Sequence, residues 1–379
     1  MTSFRGKHKR QKPDVTDSAC QILVSVCISL SGLEQHYYSF SFVRVRSHAR
    51  KDADLLTLYE QTRTKVSGIT AEYDSSGSVP CPIDIRNVLV DFISARITLI
   101  KVYDVLIALE GWDLEERIMQ LISDLNNHKE NLRGQLQHSY FSELVGLITS
   151  EICILCILLD VQLLIISGQA LKLAQILVNF VGITKAPSIY LCGFIDQMYS
   201  VLFAKFSLYF YYNLSPYCPR GDFEQAINDI GQPNFFQLFS SFYRKHDALY
   251  ITFLSSVPGF GDFNKDADGV WSRLASPICD ENSKFRVLYC FGGDRKQLFR
   301  LLPVALNIIV ERKLLKREVL AVHDESAVHS YLVSLVEASV YMVMITNRNL
   351  KGNDGKYVRF ISDICKTLAF TKLCQTPAG

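Results

Sequence analysis

Several short stretches carry residue types that could do chemistry, and each chemistry demands a definite spacing. Cys153-Ile-Leu-Cys156 is half of a zinc knuckle, which needs four ligands in a tetrahedral array. No second Cys pair accompanies it and its run is apolar, so two small hydrophobes are the plainer reading. In GFGDFNKDADGV, residues Asn264, Asp266, Asp268 and Gly269 fall where a calcium loop places its early ligands and its turn glycine. The closing position, which should supply a bidentate Glu, is Ala275, and the loop reads as solvated polar chain. His323-Asp324-Glu325 sets an imidazole beside two carboxylates, the raw material of acid–base work. Neighbours on one chain rarely converge on one point, so a solvated turn is expected. Glu115 and Glu116 suit a helix first turn, where the dipole favours them. No phosphate-cradling glycine motif, HExxH or GxSxG occurs. Asn213-Leu-Ser215 is a glycosylation sequon only in a secreted chain. The expectation is a protein without metal, cofactor or enzymatic activity; an enzyme would need a deep pocket assembled from distant residues.

The totals agree with a packed protein. The chain has 379 residues, 49% hydrophobic and 21% charged, enough for about two domains and too apolar for wholesale disorder. A net charge of +2 gives no reason to expect nucleic acid; an electrostatic partner has to be met by a local patch. The eleven cysteines show no framework spacing, which suits a reducing compartment. The basic start (Arg5, Lys7, Lys9, Arg10, Lys12) precedes an apolar segment, as in a signal peptide, but Asp14 and Asp17 interrupt it. The apolar run 152–168 carries Asp160 and Gln162, and an Asp at a bilayer centre costs about 2.5–3.5 kcal/mol. A buried helix of a soluble, cytoplasmic protein is expected.

The elements that would position these residues follow from periodicity. From Ala19 to about Leu214 the spacing is helical, with stripes at Ile22, Val26, Leu30, Leu33, Tyr37 and at Val88, Phe92, Ile93, Ile97, Ile100, Tyr103, Ile107. A third stripe runs through Leu191, Phe194, Met198, Val201, Leu202, Phe206, Tyr209 and Phe210, with Lys205 expected to lay its stem on the apolar surface and keep its ammonium in water. Pro216, Pro219, Gly221, Gly231 and Pro233 mark a junction. Beyond it the order is helix, two strands (LYITFL, FRVLYCF), a helix running through Pro303 that this residue must kink or start, two strands (HSYLVSLV, VYMVMIT) and a helix with Tyr357, Ile361, Ile364 and Leu368 on one side. The fold class expected is α+β: a basic disordered tail (1–17), an antiparallel helical bundle (18–215), a junction (216–232) and a small α/β module with an antiparallel sheet (233–379).

LFAKFSLYFYYNLS (202–215), followed by PNFFQLFSSFYRKHDALYITFL, resembles the KICSTOR subunit 2 family. SLSGLEQHYYSF, FISARITLIKVYDVL and SYLVSLVEASVYMVMIT fall in the same order. The resemblance implies a non-enzymatic scaffold subunit, partnered by kaptin, an FG-GAP repeat protein and a large scaffold subunit. It implies a complex that holds the Rag-directed GATOR GTPase-activating complex at the lysosomal surface and restrains TOR signalling during amino-acid or glucose shortage. The module type, roadblock, longin or profilin, is an analogy. A rival reading is a longin-like adaptor that binds a small GTPase in membrane trafficking. Within either, interface candidates are Tyr211, Tyr212, Tyr243 and Arg244, since Tyr and Arg are enriched at binding hot spots. The plainer alternative is that they pack the bundle against the module.

Overall fold

The computed structural model describes residues 15–39, 54–69, 82–108, 114–134, 142–169, 189–214, 234–257, 285–312, 314, 318–324, 328–337, 339–350 and 355–370. Residues 1–14 of the basic tail, the junction 216–232 and the calcium-like loop lie outside them, and residues 15–17, expected in the tail, begin a helix. The fold is α+β, a largely helical N-terminal region followed by a five-stranded antiparallel sheet module. The chain divides into two compact units, Met1–Lys101 with Asn127–Thr149, and Val102–Asn126 with Ser150–Gly379.

In the first unit α1 (Val15–Tyr38) packs on α2 (Leu55–Ser67). Its buried stripe is Leu23, Val26, Leu30, Leu33 and Tyr37; Ile22, expected on that stripe, is 42% exposed. The alternating three- and four-residue steps that end at Tyr37 land on Leu23 one turn back, and Ile22 falls about 100° away. The unit also takes in the first part of α3 (Pro82–Ala108) and pieces of α4 (Leu114–Gly134) and α5 (Ser142–Ile166). On α3 the expected stripe is buried at Val88, Phe92, Ile93, Ile97, Ile100 and Tyr103. Thr98 Oγ1 on α3 lies 2.8 Å from His128 Nε2 on α4.

The second unit holds the rest of these helices, α6 (Ile189–Tyr209), a four-residue turn α7 (Tyr211–Leu214) and the sheet module. Among the described residues α5 is the one helix long and apolar enough to cross a membrane by length and composition. Two of its polar residues are engaged inside the protein and Asp160 is exposed: Glu151 accepts a 2.8 Å hydrogen bond from Tyr103 Oη, and Gln162 is buried in a network described below.

The module runs α8 (Phe235–Lys245), β1 (Ala248–Ser255), β2 (Arg286–Gly292), α9 (Arg295–Arg312), β3 (Leu320–Asp324), β4 (His329–Glu337), β5 (Val340–Thr346), α10 (Gly355–Leu368). Asn234 caps α8 by accepting from the Gln237 N–H at 3.0 Å, worth about 1 kcal/mol. The sheet order is β2-β1-β5-β4-β3, antiparallel throughout. On one face Leu298, Leu302, Ala305 and Ile309 of α9 pack on Tyr250, Val333, Val343 and Ile345. On the other, Phe239 and Phe242 of α8 meet Phe253 of β1 and Phe360 of α10, the last pair stacked at 3.9 Å. At the end of β2, Gly292 has φ +132°, and a Cβ there would lie 2.2 Å from the Leu249 carbonyl oxygen.

Two expectations change here. The sheet has five strands where four were expected, because helix α9 ends at Arg312 and Leu320–Asp324 pairs with β4. The Leu- and Lys-rich run after Arg312 has helical propensity, but hydrogen bonding to β4 decides the conformation from Leu320 onwards. His323 and Asp324 are therefore strand residues and not a solvated turn; His323 Nδ1 lies 3.0 Å from Ser330 Oγ on β4. Pro303 sits on the exposed side within α9 and does not start it.

Candidate interaction site

The sequence picks out four interface residues, and three of them meet along the last residues of β2. Tyr211 lies edge-on to Tyr289 at 5.0 Å and against Phe236 at 5.9 Å. Tyr212 packs edge-on to Tyr211, and the Arg295 guanidinium lies over the Tyr212 ring, 4.6 Å from its centroid. Tyr243 meets Phe291 edge-on at 5.4 Å. The three tyrosines are half-buried and Arg244 is exposed. A short helical turn after Phe210 delivers Tyr211 and Tyr212, and α8 delivers Tyr243, so the strand Tyr289-Cys290-Phe291 is flanked by aromatic rings from two elements.

The electrostatics of this site oppose ionisation. Burial, with the nearby Cys290, raises the Tyr212 hydroxyl pKa, and Arg295 acts against it. Burial likewise pushes the Cys290 thiol up to about 12, again opposed by Arg295. A thiol raised above its ordinary value of 9.0 in the folded state contributes stability that is fully present below that value. That contribution is lost as pH climbs toward 12. At pH 8 Cys290 is thus a protonated, poor nucleophile. Iodoacetamide is expected to label Cys27, exposed on α1, while sparing Cys290 until the protein is unfolded. Mass spectrometry of native and denatured samples reads this directly, and rapid native labelling of Cys290 would overturn it.

Half-buried aromatic side chains of this kind are enriched at binding surfaces. No group of three or more metal-ligating side chains occurs among the described residues. Cys153 and Cys156 are free thiols on α5, with Cys156 buried and its Sγ 4.0 Å from Asn126 Oδ1. Asn213 of the sequon is 1% exposed.

Two buried charged networks escaped the sequence reading. Lys205 is 0% exposed, which corrects the expectation of an ammonium held in water. Its Nζ donates to Glu337 Oε2 at 2.6 Å and to Gln162 Oε1 at 2.7 Å, and lies 4.1 Å from the Phe370 ring centroid. Glu337 also accepts from Gln162 Nε2 at 2.9 Å and from Tyr209 Oη at 2.9 Å. The network ties α5, α6 and the end of β4 together. In the first unit Arg96, 0% exposed, donates to both Glu34 oxygens, from Nε at 3.0 and 3.1 Å and from Nη2 at 2.8 Å, and to Tyr38 Oη at 2.6 Å. Its guanidinium lies 4.1 Å from the centre of the Tyr37 ring, and Tyr59 Oη donates to Glu34 at 2.7 Å. The signal was a single charge inside an otherwise apolar helical stripe, Lys205 in LFAKFSLY and Arg96 in FISARITL.

No curated protein matches this chain. A family model described as KICSTOR complex C12orf66-like matches residues 179–377, just over half of the chain, from before α6 to beyond the end of α10. With its aromatic helix α6 and the whole sheet module inside that match, the chain belongs to the KICSTOR complex C12orf66-like family, whose role is that of a subunit in a multi-subunit complex.

Proposed function

We propose that this chain is a non-enzymatic scaffold subunit that helps a KICSTOR complex recruit the Rag-directed GATOR GTPase-activating complex to the lysosomal surface. It thereby restrains TOR signalling during amino-acid or glucose shortage. The observation that carries this reading is the family match across α6 and the sheet module. The surface of half-buried tyrosines along β2 is consistent with assembly and supplies none of the groups catalysis needs. Kaptin, the FG-GAP repeat protein and the large scaffold subunit are the expected partners, and the chain is expected in the cytoplasm and on lysosomes through them.

A tagged chain expressed from its own locus is expected to co-purify with those three subunits in near-stoichiometric amounts. Its deletion is expected to keep TOR substrates phosphorylated during amino-acid starvation. Recovery of the tagged chain alone, from cells that express the other subunits, would sink the proposal. The five-stranded module also suits a longin-like adaptor; direct binding to Rag, Rab or Arf GTPases without the other subunits would favour that reading.

A further inference from the structure

The sheet module concentrates positive charge at one of its ends. Because β1 starts where β2 and β5 finish (Tyr250 opposite Gly292, Ala248 opposite Thr346), that end collects the last turn of α8 and the first turn of α9. The first turn of α10 joins them, since Tyr357 Oη donates to the His246 carbonyl at 2.8 Å and its ring packs on Phe242. Five exposed cations therefore share it: Arg244 and Lys245 on α8, Lys296 on α9, Lys356 and Arg359 on α10. Among the described residues none of these five side chains forms an ion pair. Among the described residues two carboxylates at this end are engaged: Asp247 accepts two hydrogen bonds from Arg348, at 2.9 and 2.6 Å, and Asp294 accepts from the Lys296 backbone N–H at the start of α9. Asp324 closes β3 at the same end.

Folding alone does not call for this arrangement. A helix N-terminus carries partial positive charge and favours acidic side chains in its first turn. Neither α9 nor α10 has one there, and each places Lys in that turn instead. Asp294 caps α9, and Lys296 and Lys356 beside the two helix N-termini raise the positive potential at the same end.

We propose that this end of the module lies on an anionic lipid surface, which gives the chain a membrane contact of its own beyond its role in the complex. The shape of the patch selects the partner. The cations stand on both helix layers of the sheet, across a width of roughly 20 Å for five strands. A single acidic peptide reaches only a few of them, whereas a planar anionic surface reaches them all. Val328, 63% exposed beside the start of β4, adds an apolar tip at the same end.

The full-length chain is expected to float with vesicles of phosphatidylcholine containing about 30 mol% phosphatidylserine and not with phosphatidylcholine alone. Raising salt from about 0.1 to about 0.5 M should release it, because screening shortens the reach of the charges. Each cation near an anionic leaflet contributes about fivefold to partitioning. The variant Lys245→Gln, Lys296→Gln, Lys356→Gln, Arg359→Gln should therefore lose roughly two to three orders of magnitude in binding. These positions are exposed, so its circular dichroism and its recovery with the other KICSTOR subunits should match wild type. Neutralising Arg5, Lys7, Lys9, Arg10 and Lys12 should leave most vesicle binding intact. Equal binding to both vesicle types, unchanged binding by the four-site variant, or loss only with the N-terminal variant each overturns the proposal. So does a four-site variant that fails to join the complex when the wild-type chain ignores vesicles; that result assigns the patch to an acidic protein partner.

Discussion

Replacing Glu337 by alanine is expected to destabilise the second unit by about 3–5 kcal/mol, the cost of leaving a buried charge without its partner. Lys205 Nζ then keeps the Gln162 oxygen and the Phe370 ring, and no carboxylate remains from this network to balance it. Gln162 Nε2 and Tyr209 Oη lose their acceptor in the same step. Lys205→Ala should cost a similar amount for the reciprocal reason. Exchanging both, as Lys205→Met with Glu337→Leu, removes the charges together and should cost clearly less than the two single changes added. It will not be free, since the amide and the phenol still lose a partner. Urea titrations of the four proteins measure this as shifts of midpoint at constant slope. Single variants within about 1 kcal/mol of wild type would show that water reaches the pair.

The second large effect is expected at Arg96. Arg96→Ala should cost about 3 kcal/mol, at the lower end of the range for a broken buried pair, because the Glu34 side chain keeps 16% of its exposure and can turn to water. The sharper test is Arg96→Lys. Lysine keeps the charge but cannot reproduce a planar fork that meets both Glu34 oxygens and Tyr38 while lying over the Tyr37 ring. A loss of about half that of the alanine variant is expected, with a change in near-ultraviolet circular dichroism from Tyr37, Tyr38 and Tyr59. An Arg96→Lys protein with wild-type melting and spectrum would mean that charge alone matters there.

The sequence was legible where one period dominates. The stripes of α3, α6 and α10 could be read because burial on one helical face repeats every three or four residues. Strand β3 could not, because it has five residues, an exposed or half-buried side chain at each, and a helix-forming run before it. Its conformation is set by β4, which lies later in the chain. Lys205 shows the same limit from another side. Local reasoning laid its stem along the apolar surface beside the stripe, with the ammonium escaping to solvent as lysines usually do. What holds it inside is a carboxylate far along the chain, which no local pattern reveals. The tyrosine site was partly legible. Aromatic excess after the stripe flagged Tyr211 and Tyr212, but their meeting with Tyr243 along β2 is a product of the tertiary fold.

That distant carboxylate also sets a timetable for synthesis. Lys205 leaves the ribosome 132 residues ahead of Glu337, an interval of roughly 7 to 26 seconds at ordinary translation rates. Throughout it, α6 is complete, yet its lysine has no counter-charge and cannot be sealed between helices without a large desolvation cost. The nascent helix must keep that face wet or covered by a chaperone, and the unit closes only when the last residue of β4 arrives. A message truncated before Glu337 would yield a chain whose aromatic helix α6 lacks the carboxylate that pairs its buried lysine, and quality control has a simple feature to detect.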